Sequence, residues 1–127
     1  MARLLIAEDE QPVRELLMRA LTLDGHEVEV APDGAAALDL LSSAGAFDLL
    51  LTDIRMPIMD GIALALAAAR DYPDLAIVLM TGYAGERERA HGLDRLVYDV
   101  VLKPFSLSVM KQTVAKALAE RTGAPAS

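Results

Sequence analysis

Five short apolar runs constrain this chain most: Leu4–Ala7, Glu27–Val30, Leu49–Thr52, Ala76–Met80 and Tyr98–Leu102. Four of them are continuous. A strand with one face in water alternates apolar and polar residues, whereas a strand covered on both faces does not. The continuous runs therefore predict strands of a parallel sheet buried on both sides. Glu27–Val30 alternates, which predicts an edge strand.

Between the runs the apolar spacing becomes helical. Val13, Leu16, Leu17, Ala20 and Leu21 predict one helix face, with Pro12 in the first turn and Gly25 at the stop. Asp33 is placed to cap a second helix with Ala37, Leu38 and Leu41 inward. Asp60 is placed to cap a third, with Ile62, Ala65, Leu66 and Ala69 inward. Ser106 is placed to cap the last, with Leu107, Met110, Val114, Ala117 and Leu118 inward. Ala84–Gly92 carries Glu86, Arg87, Glu88 and Arg89 and few apolar residues, which predicts a short, loosely packed helix.

Repeated strand-helix alternation predicts an α/β fold with helices on both faces of the sheet. Right-handed crossovers narrow it to a five-stranded parallel sheet in the order 2-1-3-4-5, with a ligand crevice at the carboxyl ends of the strands. The 127 residues suit a single domain, expected over 1–121, followed by a frayed tail at 122–127. No apolar run approaches the roughly 20 residues of a membrane helix. The start lacks a signal-peptide pattern and the chain has no cysteine, so a cytoplasmic protein without membrane contact is expected. A net charge of −7 argues against direct nucleic-acid binding, which needs a basic surface.

The strand ends carry the chemistry. Glu8, Asp9 and Glu10 follow the first strand, Asp53 ends the third, Thr81 and Gly82 end the fourth, and Lys103 and Pro104 end the fifth. Each alone has an ordinary explanation as a turn or cap residue. The predicted strand order brings them to one crevice. Glu8, Asp9 and Asp53 would repel each other unless a proton or cation intervenes. An oxygen-only, acidic donor set suits Mg²⁺, which takes few protein ligands and can hold a phosphoryl oxygen. Asp53 is then the candidate nucleophile, Lys103 a fixed positive charge, Thr81 a hydroxyl donor, and Gly82 an opening without a side chain. Met56, Ile58 and Met59 fit either a partner surface or a loop folded over the core edge. His26 and His91 read as surface residues, and Pro104 marks a peptide whose cis or trans form only a structure can give.

AEDE at Ala7–Glu10, LLTDIRMPIMDG at Leu50–Gly61, MTGYA at Met80–Ala84 and LKPF at Leu102–Phe105 resemble the signature set of CheY-like response-regulator receiver domains, over residues 3 to about 121. The resemblance implies that Asp53 is the phosphoacceptor and that Glu8 and Asp9 form the acidic pocket. It implies that Arg55 adds its backbone carbonyl to the Mg²⁺ ligands, and that Thr81 and Lys103 contact the bound phosphoryl group. The implied donor is a histidine kinase or a histidine phosphotransfer protein. More narrowly, MARLLIAEDE, TGYA and VLKPF are similar to CpdR-type stand-alone receivers, which implies a downstream target such as the ClpXP protease. Receivers of hybrid kinases share much of this wording, so a receiver excised from one is the alternative. Many receivers carry an aromatic switch residue three positions before the lysine; here that position is Val100. Two other functions fit the same fold. A Mg²⁺-dependent aspartyl phosphohydrolase would need an acid near Asp53, where Arg55 stands two residues on. A flavodoxin-like cofactor carrier would need a phosphate cradle where EDEQP is acidic.

Overall fold

The computed structural model describes residues 2–83, 85, 93 and 95–123. The elements run β1 (Arg3–Ala7), α1 (Gln11–Leu23), β2 (Glu27–Ala31), α2 (Gly34–Ser43), β3 (Leu49–Asp53), α3 (Gly61–Asp71), β4 (Ala76–Thr81), β5 (Asp99–Leu102) and α4 (Leu107–Gly123). The five strands are parallel and ordered β2-β1-β3-β4-β5, as predicted.

The runs of β1, β3 and β4 are continuous because both sheet faces are covered there, whereas β5, expected to be covered likewise, is an edge strand with Asp99 and Leu102 exposed. Alternate residues point to opposite faces. Leu5, Ala7, Leu50, Ile77 and Leu79 pack with α2 and α3 residues such as Leu41 and Leu64. Leu4, Ile6, Leu49, Leu51, Val78 and Met80 pack with Leu17 and Leu21 of α1 and Met110 and Val114 of α4. Each fully buried leucine stabilises the fold by about 2 kcal/mol relative to exposure. Edge strand β2 keeps Glu27 and Glu29 exposed, which explains its alternation.

The predicted caps form. Asp33 accepts from the Ala36 N–H, Asp60 from Ala63, and Ser106 Oγ from Val109, at 2.8, 2.9 and 3.0 Å. Pro12 lies in the first turn of α1, and Gly25 follows its end at φ 95°, a conformation that suits glycine. The Lys103–Pro104 peptide is cis. Among the described residues, no helix is long and apolar enough to cross a membrane.

Two predicted helix faces need correction. Leu16 is 51% exposed, because α1 meets the sheet through Leu17, Ala20 and Leu21, and Leu16 stands at the margin of that stripe. In α3 the buried stripe is Gly61, Leu64, Ala65 and Ala68, and Leu66 is 47% exposed. The cause lies at Gly61, where a Cβ would collide with the Asp53 carbonyl oxygen. That close approach sets the rotation of α3, and positions i, i+3, i+4 and i+7 from Gly61 turn inward with it. The helix expected at Ala84–Gly92 lies outside the described residues, apart from Gly85. Of the tail expected at 122–127, α4 includes the first two residues, and 124–127 lie outside the described residues.

Candidate functional site

Register brings the strand ends to one level. Ala7 pairs with Thr52, Asp53 with Met80, and Thr81 with Leu102. Parallel strands that end together release their following residues on the same edge. Glu8 and Asp9, Asp53 and Arg55, Gly82 and Tyr83, and Lys103 therefore meet although far apart in sequence.

Lys103 is the centre of the arrangement. Its Nζ lies 2.9 Å from Glu8 Oε1 and 3.0 Å from Asp53 Oδ2. The remaining oxygens are held by main chain: Ile54 N–H donates to Asp53 Oδ1 at 2.8 Å, and Glu10 N–H donates to Glu8 Oε2 at 3.1 Å. Glu8 is fully buried and Asp53 is 7% exposed, while Asp9 is exposed. Carboxylate oxygens of Glu8, Asp9 and Asp53 all lie within 4.8 Å of one another.

Charge is poorly balanced here. Burial pushes the Glu8 carboxyl up to about 7, against the hydrogen bonds from Lys103 and the Glu10 amide, and the Asp53 charge adds to the rise. Burial pulls the Lys103 ammonium down, but its bonds to Glu8 and Asp53 outweigh that, and its pKa is raised. Lys103 thus stays a cation between two carboxylates, with Asp9 beside them. An oxygen-rich cluster with excess negative charge fits a small divalent cation.

The mouth of the site is a cleft of about 510 Å³ lined by Asp9, Glu10, Asp53, Arg55, Gly82, Tyr83 and Lys103. A second cleft, about 390 Å³, runs from Asp9 along Ile54, Arg55 and Met56 to Asp60. The Arg55 guanidinium lies 4.0 Å from the centre of the Tyr83 ring, a cation–π contact at the rim.

Glu8, Asp9, Asp53 and Lys103 converge as expected. Thr81 is fully buried, its Oγ1 accepting from the Tyr83 N–H at 3.1 Å, and the cleft is lined by Gly82 and Tyr83 instead. Gly82 lines the cleft where an opening was expected, and a Cβ there would meet only Lys103 Cβ at 3.9 Å. His26 is half-buried and accepts from the Ala2 N–H at 3.4 Å, away from the site. His91 lies outside the described residues.

Three contributors escaped the sequence reading. Gly61 permits the close approach to Asp53 already described. Arg14 donates to the Glu8 carbonyl at 2.8 Å, tying α1 to the acidic loop. Tyr83 forms the rim with Arg55. The Asp-Gly pair at Asp60–Gly61 was a signal for Gly61; the other two depend on side-chain reach and left no local pattern.

The response regulator receiver domain family matches residues 4–115. Response regulator MprA of Mycobacterium avium is 37% identical over 120 residues, 94% of this chain and 52% of that protein. The chain thus spans about half the length of the curated relatives it matches. The crystal structure of response regulator TrrA of Thermotoga maritima, in complex with Mg²⁺–BeF, is similar with a TM-score of 0.82 and 32% identity, covering 92% of this chain and 99% of that one. A CheY-like receiver domain protein of Methanospirillum hungatei gives a TM-score of 0.89 at 25% identity, covering 96% and 97%. With the family matched over most of its length, this chain belongs to the response regulator receiver domains.

Proposed function

We propose that Asp53 is the phosphoacceptor of a two-component relay, within a single receiver domain spanning residues 1–121. The observation that carries the reading is the Lys103 ammonium 3.0 Å from Asp53 Oδ2, in a cleft that leaves the carboxylate 7% exposed. The donor is a phosphohistidine on a histidine kinase or histidine phosphotransfer protein. An Asp53 carboxylate oxygen attacks phosphorus, the P–N bond breaks, and the protonated imidazole leaves as neutral histidine. The product is an acyl phosphate on Asp53. Water later cleaves its P–O bond and returns the carboxylate and inorganic phosphate.

Lys103 offers positive charge to the phosphoryl oxygens as negative charge builds there, at the cost of loosening its contact with Asp53. Thr81 supplies a hydroxyl donor to the same group once its turn moves. Glu8, Asp9, Asp53 and the Arg55 backbone carbonyl are the groups that would hold Mg²⁺. When bound, Mg²⁺ supplies charge neutralisation at the phosphoryl oxygens. The phosphohydrolase reading is weaker because Arg55, engaged with Tyr83, stands where that chemistry wants an acid.

Phosphorylation then alters protein contacts. The similarity to CpdR-type receivers supports a narrower reading, in which the target is a ClpXP-type protease. Binding of purified ClpX to wild type and to Asp53→Ala tests that reading; equal absence of binding in both would refute it. For the acceptor itself, beryllofluoride should bind only with Mg²⁺, and Asp53→Asn should abolish binding, because an amide is a poor nucleophile and metal ligand. Binding to Asp53→Asn at wild-type affinity would refute the assignment.

A further inference from the structure

β2 forms one edge of the sheet, and its outer side meets no other strand among the described residues. The Glu27 N–H donates to the Ala2 carbonyl at 2.9 Å, and the Ala31 carbonyl accepts from the Glu8 N–H at 3.0 Å. By strand alternation the peptide groups of Glu27, Glu29 and Ala31 face β1, and those of Val28 and Val30 point outward along the edge. Side chains alternate as well. Glu27 and Glu29 stand exposed on one face of the strand. On the other, Val28 lines a groove of about 540 Å³ with Met18, Arg19, Thr22 and Leu23 of α1. Leu23 is 83% exposed. The groove lies toward the amino ends of the strands, since Val28 pairs with Leu4, whereas Glu8 and Asp53 stand at the carboxyl ends.

A strand added to such an edge lies about 4.8 Å away and sends its side chains alternately to the same two faces. One set would fall beside Glu27 and Glu29, the other over the apolar groove. Main-chain pairing gives affinity, and the two faces give selectivity. Opposite charges directly across two strands attract, and like charges destabilise the pair. A second copy pairing antiparallel about a two-fold axis would set these glutamates against their own counterparts, which disfavours self-association through this edge. We propose that the outer edge of β2 takes up an extended segment of a partner protein as an added strand, in which basic and apolar residues alternate. Its basic side chains meet Glu27 and Glu29, and its apolar side chains cover Val28 and Leu23. This surface is distinct from the cleft over Asp53.

Amide hydrogen exchange followed by NMR reads such pairing residue by residue. The probe is a short synthetic peptide of alternating lysine and valine, and the control peptide alternates glutamate and valine. In the free protein Val28 and Val30 should exchange fast, and Glu27 and Glu29 slowly. The lysine peptide at about ten times its Kd should slow exchange at Val28 and Val30 on the order of tenfold, and the glutamate peptide should leave it unchanged. Val28→Pro removes an outward N–H and keeps the bonds to β1, so it should weaken binding of the lysine peptide about tenfold. Glu27→Lys together with Glu29→Lys, both at exposed positions, should reverse the preference between the two peptides. Val28 and Val30 amides unaffected by saturating lysine peptide would overturn the inference, as would a charge-reversed variant that keeps the wild-type preference. Slowing that follows protein concentration without any peptide would overturn it in favour of a second copy.

Discussion

Lys103 and Asp53 are separated by 50 residues of chain, yet their charged atoms lie 3.0 Å apart at the carboxyl edge of the sheet. Glu8 shares the same ammonium at 2.9 Å. One cation therefore serves two sheltered carboxylates. Removing it by Lys103→Met leaves both without their charge partner. In metal-free protein this should destabilise the fold by about 2 kcal/mol, less than for a fully buried pair because the Lys103 side chain is 21% exposed. Urea unfolding measures it. Stability equal to wild type would mean that the ammonium does not hold these groups.

Mg²⁺ should stabilise the native state, since a ligand that binds only the folded form adds RT ln(1 + [L]/Kd). At ten times Kd this is about 1.4 kcal/mol, a rise in Tm of about 4 °C. Asp9→Asn should blunt the rise by removing one negative ligand. A mutant that responds as strongly as wild type would place the metal elsewhere.

Stability of the metal-free protein should depend on pH through Glu8. Its native pKa, about 7, lies above the ordinary 4.5, so the folded state holds a proton that the unfolded state has released. The contribution is present below pH 4.5 and is lost as pH rises through 7. Chelator-treated protein should therefore lose stability across that window, and Glu8→Gln should flatten the slope. A stability that rises through the window in wild type but not in Glu8→Gln would reverse the assignment.

The two leucines at the centre of α1 should behave differently. Leu17 is fully buried, so Leu17→Ala should cost about 3 kcal/mol. Leu16 is 51% exposed, and Leu16→Ala should cost less than about 1 kcal/mol. Equal losses in chemical denaturation would show that α1 is rotated from the position described.

The contrast between these neighbours marks what was legible in the sequence. Strand order could be read because strand-helix alternation with right-handed crossovers leaves few arrangements, and the continuous runs of β1, β3 and β4 report coverage on two faces. The convergence of Glu8, Asp9, Asp53 and Lys103 followed from strand order, since each stands just at or beyond a strand end. Helix rotation was not legible. In α3 nearly every position is alanine, leucine or isoleucine, so several stripes fit, and the contact of Gly61 with Asp53 decides among them. The loop of Met56, Ile58 and Met59 was equally ambiguous until packing sent the two methionines inward and Ile58 outward. The rim contact of Arg55 with Tyr83 joins two loops with no shared pattern.

Asp53 alone should accept the phosphoryl group. Intact-mass spectrometry after incubation with acetyl phosphate and Mg²⁺, followed by peptide mapping after borohydride trapping, tests it most directly. One phosphoryl adduct is expected on the wild type, trapped at Asp53, and none on Asp53→Asn or without Mg²⁺. An adduct of similar yield on Asp53→Asn, or trapping at Glu8 or Asp9 in the wild type, would contradict it.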